Sequence, residues 1–363
     1  MLDGIRIIEV EGLGPGPFAA MTLADLGADV IVVHRKGGNP TPGVPERSVL
    51  DRGKRSIALD LKDAGDLEVF RKLVATADGL IEGFRPGVME KLGIGPEACH
   101  AINPALVFGR MTGWGQESPL SSAAGHDLNY ISMSGALWYA GAPGDAPVTP
   151  ATLVGDIGGG ALYLVVGLLA GIMQARATGR GTVVDAAIYD GSAHMMNLLM
   201  SLRQGGGMPE TRGAGILDGP HWCRSYRTSD GGWMSVQCLE PKFYAIFLDL
   251  LGLSDDPDFA GQFDRALWPG ATRRLSEIFA GKTRQEWAEL FLGTDACVAP
   301  VLSPDEAMAH GMNAARGVWK APSGVLQAAP APRFAGRDAW QPVEAPERGQ
   351  HGAEILAELN EAE

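Results

Sequence analysis

The chain has 363 residues, 45% hydrophobic and 20% charged, a globular composition in a length that exceeds one ordinary core. Its net charge of -13 argues against general nucleic-acid binding and against adhesion to anionic membranes, while leaving room for a local basic pocket. The four cysteines, Cys99, Cys223, Cys238 and Cys297, form no CxxC pair, so neither a zinc site nor a redox motif is indicated.

In chain order, residues 5–10 read as a strand, 11–17 as a Gly/Pro loop, 18–26 as a helix stopped by Gly27, and 30–33 as a second, wholly apolar strand. This βαβ unit invites a nucleotide-fold reading. The dinucleotide fingerprint is absent, because Gly12-Leu13-Gly14-Pro15-Gly16-Pro17 places prolines where backbone donors are needed. After the second strand an NAD site wants an acidic residue, and this chain has His34-Arg35-Lys36. A basic strand end suits a phosphorylated ribose, that of NADP or of coenzyme A; a solvated basic turn gives the same pattern. Arg52, Lys54, Arg55, Lys62, Arg85 and Lys91 extend the basic character.

Further strands are expected at 56–61, 79–82 and 106–111, and an amphipathic helix at 63–77 with Leu67, Phe70, Leu73 and Val74 on one face. Residues 84–87 form a turn into a helix that ends at Leu92-Gly93, and 112–116 form a loop after the fifth strand. Ligands of open α/β sheets bind outside the carboxyl ends of the strands, where Arg35, Phe84-Arg85 and residues 112–116 fall.

The stretch 125–160 opens Gly125-His126-Asp127-Leu128-Asn129-Tyr130 and closes Gly155-Asp156-Ile157-Gly158-Gly159-Gly160, with a helix expected at 130–140 and a loop at 141–150. His126 and Asp156 sit at glycine-rich backbone followed by helix starts, whose free N–H groups suit a developing oxyanion. An imidazole titrates near pH 6.5, whereas Asp156 needs a raised pKa to share the work. An acid/base pair is one reading; an N-cap Asp and a packed His is the other. Residues 157–175 carry no charge and are long enough for a membrane span of about 20 residues, but three opening glycines favour a buried helix.

Beyond it, a turn at 178–181, a strand at 182–188 and a helix at 190–202 lead to a glycine-rich passage, the expected linker at 205–221. Strands at 223–228 and 233–238 flank a hairpin turn, and Glu240-Pro241 opens a helix to Leu251. Capping boxes start at Thr283 and Ser303, and a last helix is expected at 353–359. The fold class is thus α/β: a Rossmann-like domain at 1–204, completed by the tail 311–363, and a smaller α+β domain at 222–310. The chain start lacks the marks of a secretory signal, so a reduced, cytoplasmic setting is expected.

These motifs, together with Leu23-Ala24-Asp25-Leu26-Gly27-Ala28-Asp29-Val30, Arg85-Pro86-Gly87-Val88, Arg110-Met111-Thr112-Gly113-Trp114-Gly115-Gln116 and Glu240-Pro241-Lys242-Phe243-Tyr244, resemble the class III coenzyme A transferase superfamily, specifically the α-methylacyl-CoA racemases. The resemblance covers nearly the whole chain. It implies an interlocked homodimer and a 2-methyl-branched acyl-CoA substrate, with no separate cofactor and no metal. It implies that Arg35, Leu59, Asp60, Lys62, Arg85 and Lys91 contact the nucleotide and pantetheine, and that Gly125, Asp127, Leu128, Asn129 and Tyr130 line the thioester. His126 and Asp156 correspond to the two bases flanking the α-carbon, and Glu240 to the residue that orients the imidazole. The backbone N–H of Asp127 is a candidate donor to the enolate oxygen. The racemases carry Asn four residues before the Asp, where this chain has Thr152. Transferase members use the same Asp as a nucleophile and do not need the His. Branched fatty, bile-acid-like and arylpropionyl chains all remain open as the acyl group. Asp127 and Asp185 are expected to be structural, the remaining histidines surface or packing residues, and Trp114 and Trp222 either pocket or core residues.

Overall fold

A computed structural model describes residues 1–38, 41–337 and 339–361, so Asp338, Ala362 and Glu363 of the expected tail lie outside the described residues. The chain divides into two compact units: residues 1–136, 150–195 and 314–363 form the first, and residues 137–149 and 196–313 the second.

The first unit is built on six parallel strands: β1 (Arg6–Val10), β2 (Asp29–Arg35), β3 (Arg55–Leu59), β4 (Gly79–Glu82), β5 (Val107–Thr112) and β6 (Thr182–Ala187). Their order, β3-β2-β1-β4-β5-β6, is that of a doubly wound nucleotide fold, with the switch point between β1 and β4. Alternate residues of each strand face opposite layers. Ile7 packs with Leu23 of α1 (Pro15–Asp25) and with Leu164 and Leu168 of α6 (Leu162–Thr178). Ile8 packs with Phe70 and Leu73 of α2 (Ala64–Thr76) and with Ile355 and Leu359 of the C-terminal helix (Gly352–Glu361). The tail thus supplies part of this unit's core.

α1 begins three residues before its expected start. Pro15 and Pro17 occupy its first turn, where a missing N–H breaks no helical bond. The helix expected at 130–140 instead spans α5 (Asp127–Ser134). His126 is its N-cap, Asn129 Oδ1 accepts the His126 N–H at 3.0 Å, and left-handed Gly135 stops it. A π-helical segment (Leu153–Ala161) runs directly into α6. Together they make one helix long and apolar enough to cross a membrane by length and composition, and only part of it is buried. Three glycines let it pack closely: a Cβ on Gly167 would lie 2.5 Å from Val184, one on Gly171 2.6 Å from Val107, and one on Gly159 2.7 Å from the backbone of Ser192.

The helix expected at 190–202 is two, α7 (Ile188–Met195) and α8 (Asn197–Gln204), and the chain passes between units at that break. The second unit contains an antiparallel sheet, β7 (Cys223–Arg227), β8 (Trp233–Gln237) and the unexpected β9 (Val298–Pro300), with α9 (Pro241–Leu251) and further helices around an aromatic core. Residues 205–221 are an ordered part of this unit and not a linker. Asp218 accepts the N–H groups of Gly213 and Gly215 at 2.7 and 2.8 Å. Arg212 donates to the carbonyls of Ala140, Ala142 and Asp145, which ties the 141–150 loop to the same unit.

Candidate active site

His126 and Asp156 line one cavity of about 500 Å³ in the first unit, with Leu13, Gly14, Phe84, Arg85, Trp114 and Tyr130. The imidazole is exposed and the Asp156 side chain half-buried. Burial pushes the Asp156 carboxyl above the usual carboxylate range, and the Asp127 charge pushes the same way. The Thr152 hydroxyl, which donates to Asp156 Oδ2, and nearby His126 pull it down. Asp127 Oδ1 accepts the backbone N–H groups of Gly155 and Asp156, each at 2.8 Å.

The cavity wall depends on two glycines. The Tyr130 ring stands edge-on to Trp114 with centroids 4.7 Å apart, and its hydroxyl donates to the Gly125 carbonyl. A Cβ on Gly113 would lie 2.0 Å from that ring, and one on Gly125 2.7 Å from it. Trp114 therefore lines the cavity, and its buried Nε1 has no hydrogen-bond partner among the described residues. Trp222 is core in the second unit, with Nε1 donating to the Gln262 carbonyl.

A second cavity of about 480 Å³ opens at the carboxyl ends of β1 to β4, lined among others by Arg35, Lys36, Leu59, Asp60, Lys62 and Phe84. Phe84 lines both cavities. Arg85 belongs to the first, and Lys91 is exposed on a short helix (Val88–Lys91) without lining either. Lys36 is paired with Asp66 at 2.5 Å.

Of the basic residues noted in the sequence, Arg52 and Lys54 are buried and Arg55 is partly buried, each in ion pairs. Lys54 is enclosed against Glu9 at 2.5 Å and Asp51 at 3.2 Å. Arg52 pairs with Asp25, and Arg55 with Asp29 and Glu358. His34 is also buried, its Nδ1 2.7 Å from the Ser56 hydroxyl. A cation with no signal in the sequence joins them from the tail: Arg348 pairs with Glu11 at 2.9 Å and donates to the Arg35 carbonyl.

Within the Gly125–Tyr130 motif the roles divide. Gly125, His126 and Tyr130 line the cavity, Asp127 turns its side chain into the protein, and Leu128 and Asn129 are exposed. Glu240 lies in the second unit, exposed at the N-cap of α9. Asp185 is structural, accepting the Gln116 N–H at 2.8 Å. Among the described residues, no group of three or more His, Cys, Asp or Glu side chains could hold a metal ion.

Residues 2–352 match the family described as CoA-transferase family III. The chain belongs to this family. It is 39% identical to the alpha-methylacyl-CoA racemases of mouse (Mus musculus) and human (Homo sapiens), over 99% of this chain and 93% of each relative. A crystal structure of a CAIB/BAIF family protein from Brucella suis superposes with a TM-score of 0.83 at 30% identity, covering 99% of both chains. As a member of CoA-transferase family III, the chain is an enzyme.

Proposed function

We propose that the protein interconverts the (R) and (S) epimers of 2-methylacyl-CoA thioesters by 1,1-proton transfer. The observation that carries this reading is one cavity lined by both an exposed imidazole and a half-buried carboxyl of raised pKa. One of the two removes the α-proton, the electron pair moves onto the thioester oxygen as an enolate, and the other returns a proton from the opposite face. The enolate oxygen needs fixed donors. Asp127 is the first residue of α5, so its N–H has no acceptor within the helix. Neutral His126 with protonated Asp156 serves one epimer; charged His126 with ionised Asp156 serves the other. Both states share one total charge.

In this reading Arg35, Leu59, Asp60 and Lys62 take the nucleotide end of coenzyme A, Arg85 and Lys91 the chain between, and Gly125, Asp127, Leu128, Asn129 and Tyr130 the thioester. Phe84 is the shared wall. The task of orienting the imidazole falls in this reading to Glu240. The substrate brings its own coenzyme A, and no separate cofactor takes part. We assign an interlocked homodimer in the cytoplasm. In support, Leu162, Val166 and Met173 of α6 are exposed apolar side chains that a second copy would cover.

The alternative uses Asp156 as a nucleophile to move CoA between carboxylic acids. It leaves His126, beside Asp156 in the cavity, without a task. Incubation with a 2-methylacyl-CoA in D2O separates the two. Deuterium at the α-carbon with epimer interconversion supports racemisation; CoA transfer to an added free acid without exchange supports the transferase.

A further inference from the structure

The two groups assigned as bases come from different elements. His126 is set by the N-cap of α5, and Asp156 by the π-helical segment after Thr152. Two groups on opposite sides of one carbon must keep their separation, because a misplacement of about 1 Å can cost on the order of 10²-fold in rate. One side chain hydrogen-bonds the two elements together. Asp127, the first residue of α5, is 9% exposed, and its Oδ1 receives the N–H groups of both Gly155 and Asp156 at 2.8 Å.

The approach is close enough to dictate sequence. A Cβ on Gly155 would lie 2.4 Å from Asp127 Oδ1 and 2.9 Å from Ile131 of α5, so only glycine permits it. Charge-assisted bonds from backbone N–H groups to a carboxylate are about twice as strong as neutral ones. The arrangement also sets a buried negative charge behind a carboxyl that has to exchange a proton. The titratable groups that bear on Asp156 are Asp127 and His126, with Tyr130 of α5 facing it and Arg85 facing Tyr130. From α1 the nearest feature is Gly14, where a Cβ would lie 3.8 Å from Asp156 Oδ2; α7 meets the segment through the backbone of Ile188 and Ser192.

We propose that Asp127 is a positioning residue: its carboxylate fixes the backbone of Asp156 to the helix that carries His126, and places a like charge behind the catalytic carboxyl. One residue then serves both sides of the reaction, its N–H toward the enolate and its side chain toward the second base. This rests on the racemase reading. The like charge favours the protonated form of Asp156, so its removal lets Asp156 ionise at lower pH.

Two variants test it in the full-length protein, by deuterium incorporation from D2O and by epimer interconversion as functions of pH. In Asp127→Asn the amide oxygen still accepts both N–H groups while the charge is gone. The lower apparent pKa of the bell-shaped profile should move down with KM little changed. In Asp127→Ala the clasp is lost, and kcat should fall on the order of 10²-fold, again with little change in KM. Active wild-type protein with an unaltered profile in Asp127→Asn and full kcat in Asp127→Ala overturns the inference alone. An Asp127→Ala protein that fails to fold leaves the decision to the Asp127→Asn profile. No exchange in the wild type overturns the racemase reading, and the inference with it.

Discussion

The Thr152 hydroxyl donates to Oδ2 of Asp156 from a residue whose backbone is left-handed, with φ of 62°. A β-branched residue is poorly suited to that conformation, which costs roughly 1–2 kcal/mol for an L-residue other than glycine. Asn tolerates it better and carries an amide donor. Thr152→Asn should therefore raise Tm by a few degrees, about 2–4 °C per kcal/mol in chains somewhat smaller than this one, and hold activity within a few-fold. Thr152→Val keeps the shape and removes the donor. Since that bond lowers the Asp156 pKa, its loss should move the lower apparent pKa of the rate profile upward. Differential scanning calorimetry and pH-rate profiles check the pair of variants.

If His126 and Asp156 act from opposite faces, removing one leaves the other able to exchange the proton it faces. His126→Ala and Asp156→Asn should each lose epimer interconversion, by on the order of 10²-fold or more. Each should still wash deuterium into one epimer and not the other, with the two variants preferring opposite epimers. Mass spectrometry on separated epimers reads this directly. The same preference in both variants would mean that a single base serves the site.

Strand positions in the first unit were legible because parallel strands are apolar throughout and helices between them are punctuated by glycine: Gly27 ends α1, left-handed at φ 99°. The start of α5 was misplaced because a histidine N-cap carries little signal, and the deciding bond, Asn129 Oδ1 to the His126 N–H, belongs to three-dimensional structure. The glycines after Asp156 spoke in the sequence only for a buried helix and against a membrane span. In the fold they are tight packing, with a Cβ on Gly191 of α7 placed 1.8 Å from the Gly159 carbonyl. Neither the Asp127 clasp nor Arg348 could be found by pattern, since each meets its partners from a distant part of the chain.

Basic residues that look alike in the sequence should behave differently when changed. Arg35 is exposed at the mouth of the second cavity, whereas the Lys54 ammonium is enclosed against Glu9. Arg35→Glu should raise KM for a CoA thioester by about 10- to 100-fold, the worth of a charge-assisted bond of 1.5–3 kcal/mol, and leave kcat and Tm near wild type. Lys54→Met strands Glu9 without its cation; breaking such a buried pair costs about 3–5 kcal/mol. Its effect should appear in urea midpoints, with KM close to wild type in whatever protein remains folded.

Asp156 itself should weaken the fold at neutral pH. Burial and the Asp127 charge raise its carboxyl above the unfolded value of 3.8. A carboxyl raised by folding is neutral in its effect below the unfolded pKa, where both states are protonated. As pH climbs through the folded pKa, the folded state must ionise a desolvated group, and stability is lost. Asp156→Asn removes that ionisation while keeping an oxygen for the Thr152 hydroxyl. Its Tm should match wild type near pH 3 and exceed it at pH 8, with the gap opening across the folded-state titration. A variant less stable than wild type at pH 8 would show that the Thr152 and His126 contacts to the carboxylate outweigh its desolvation.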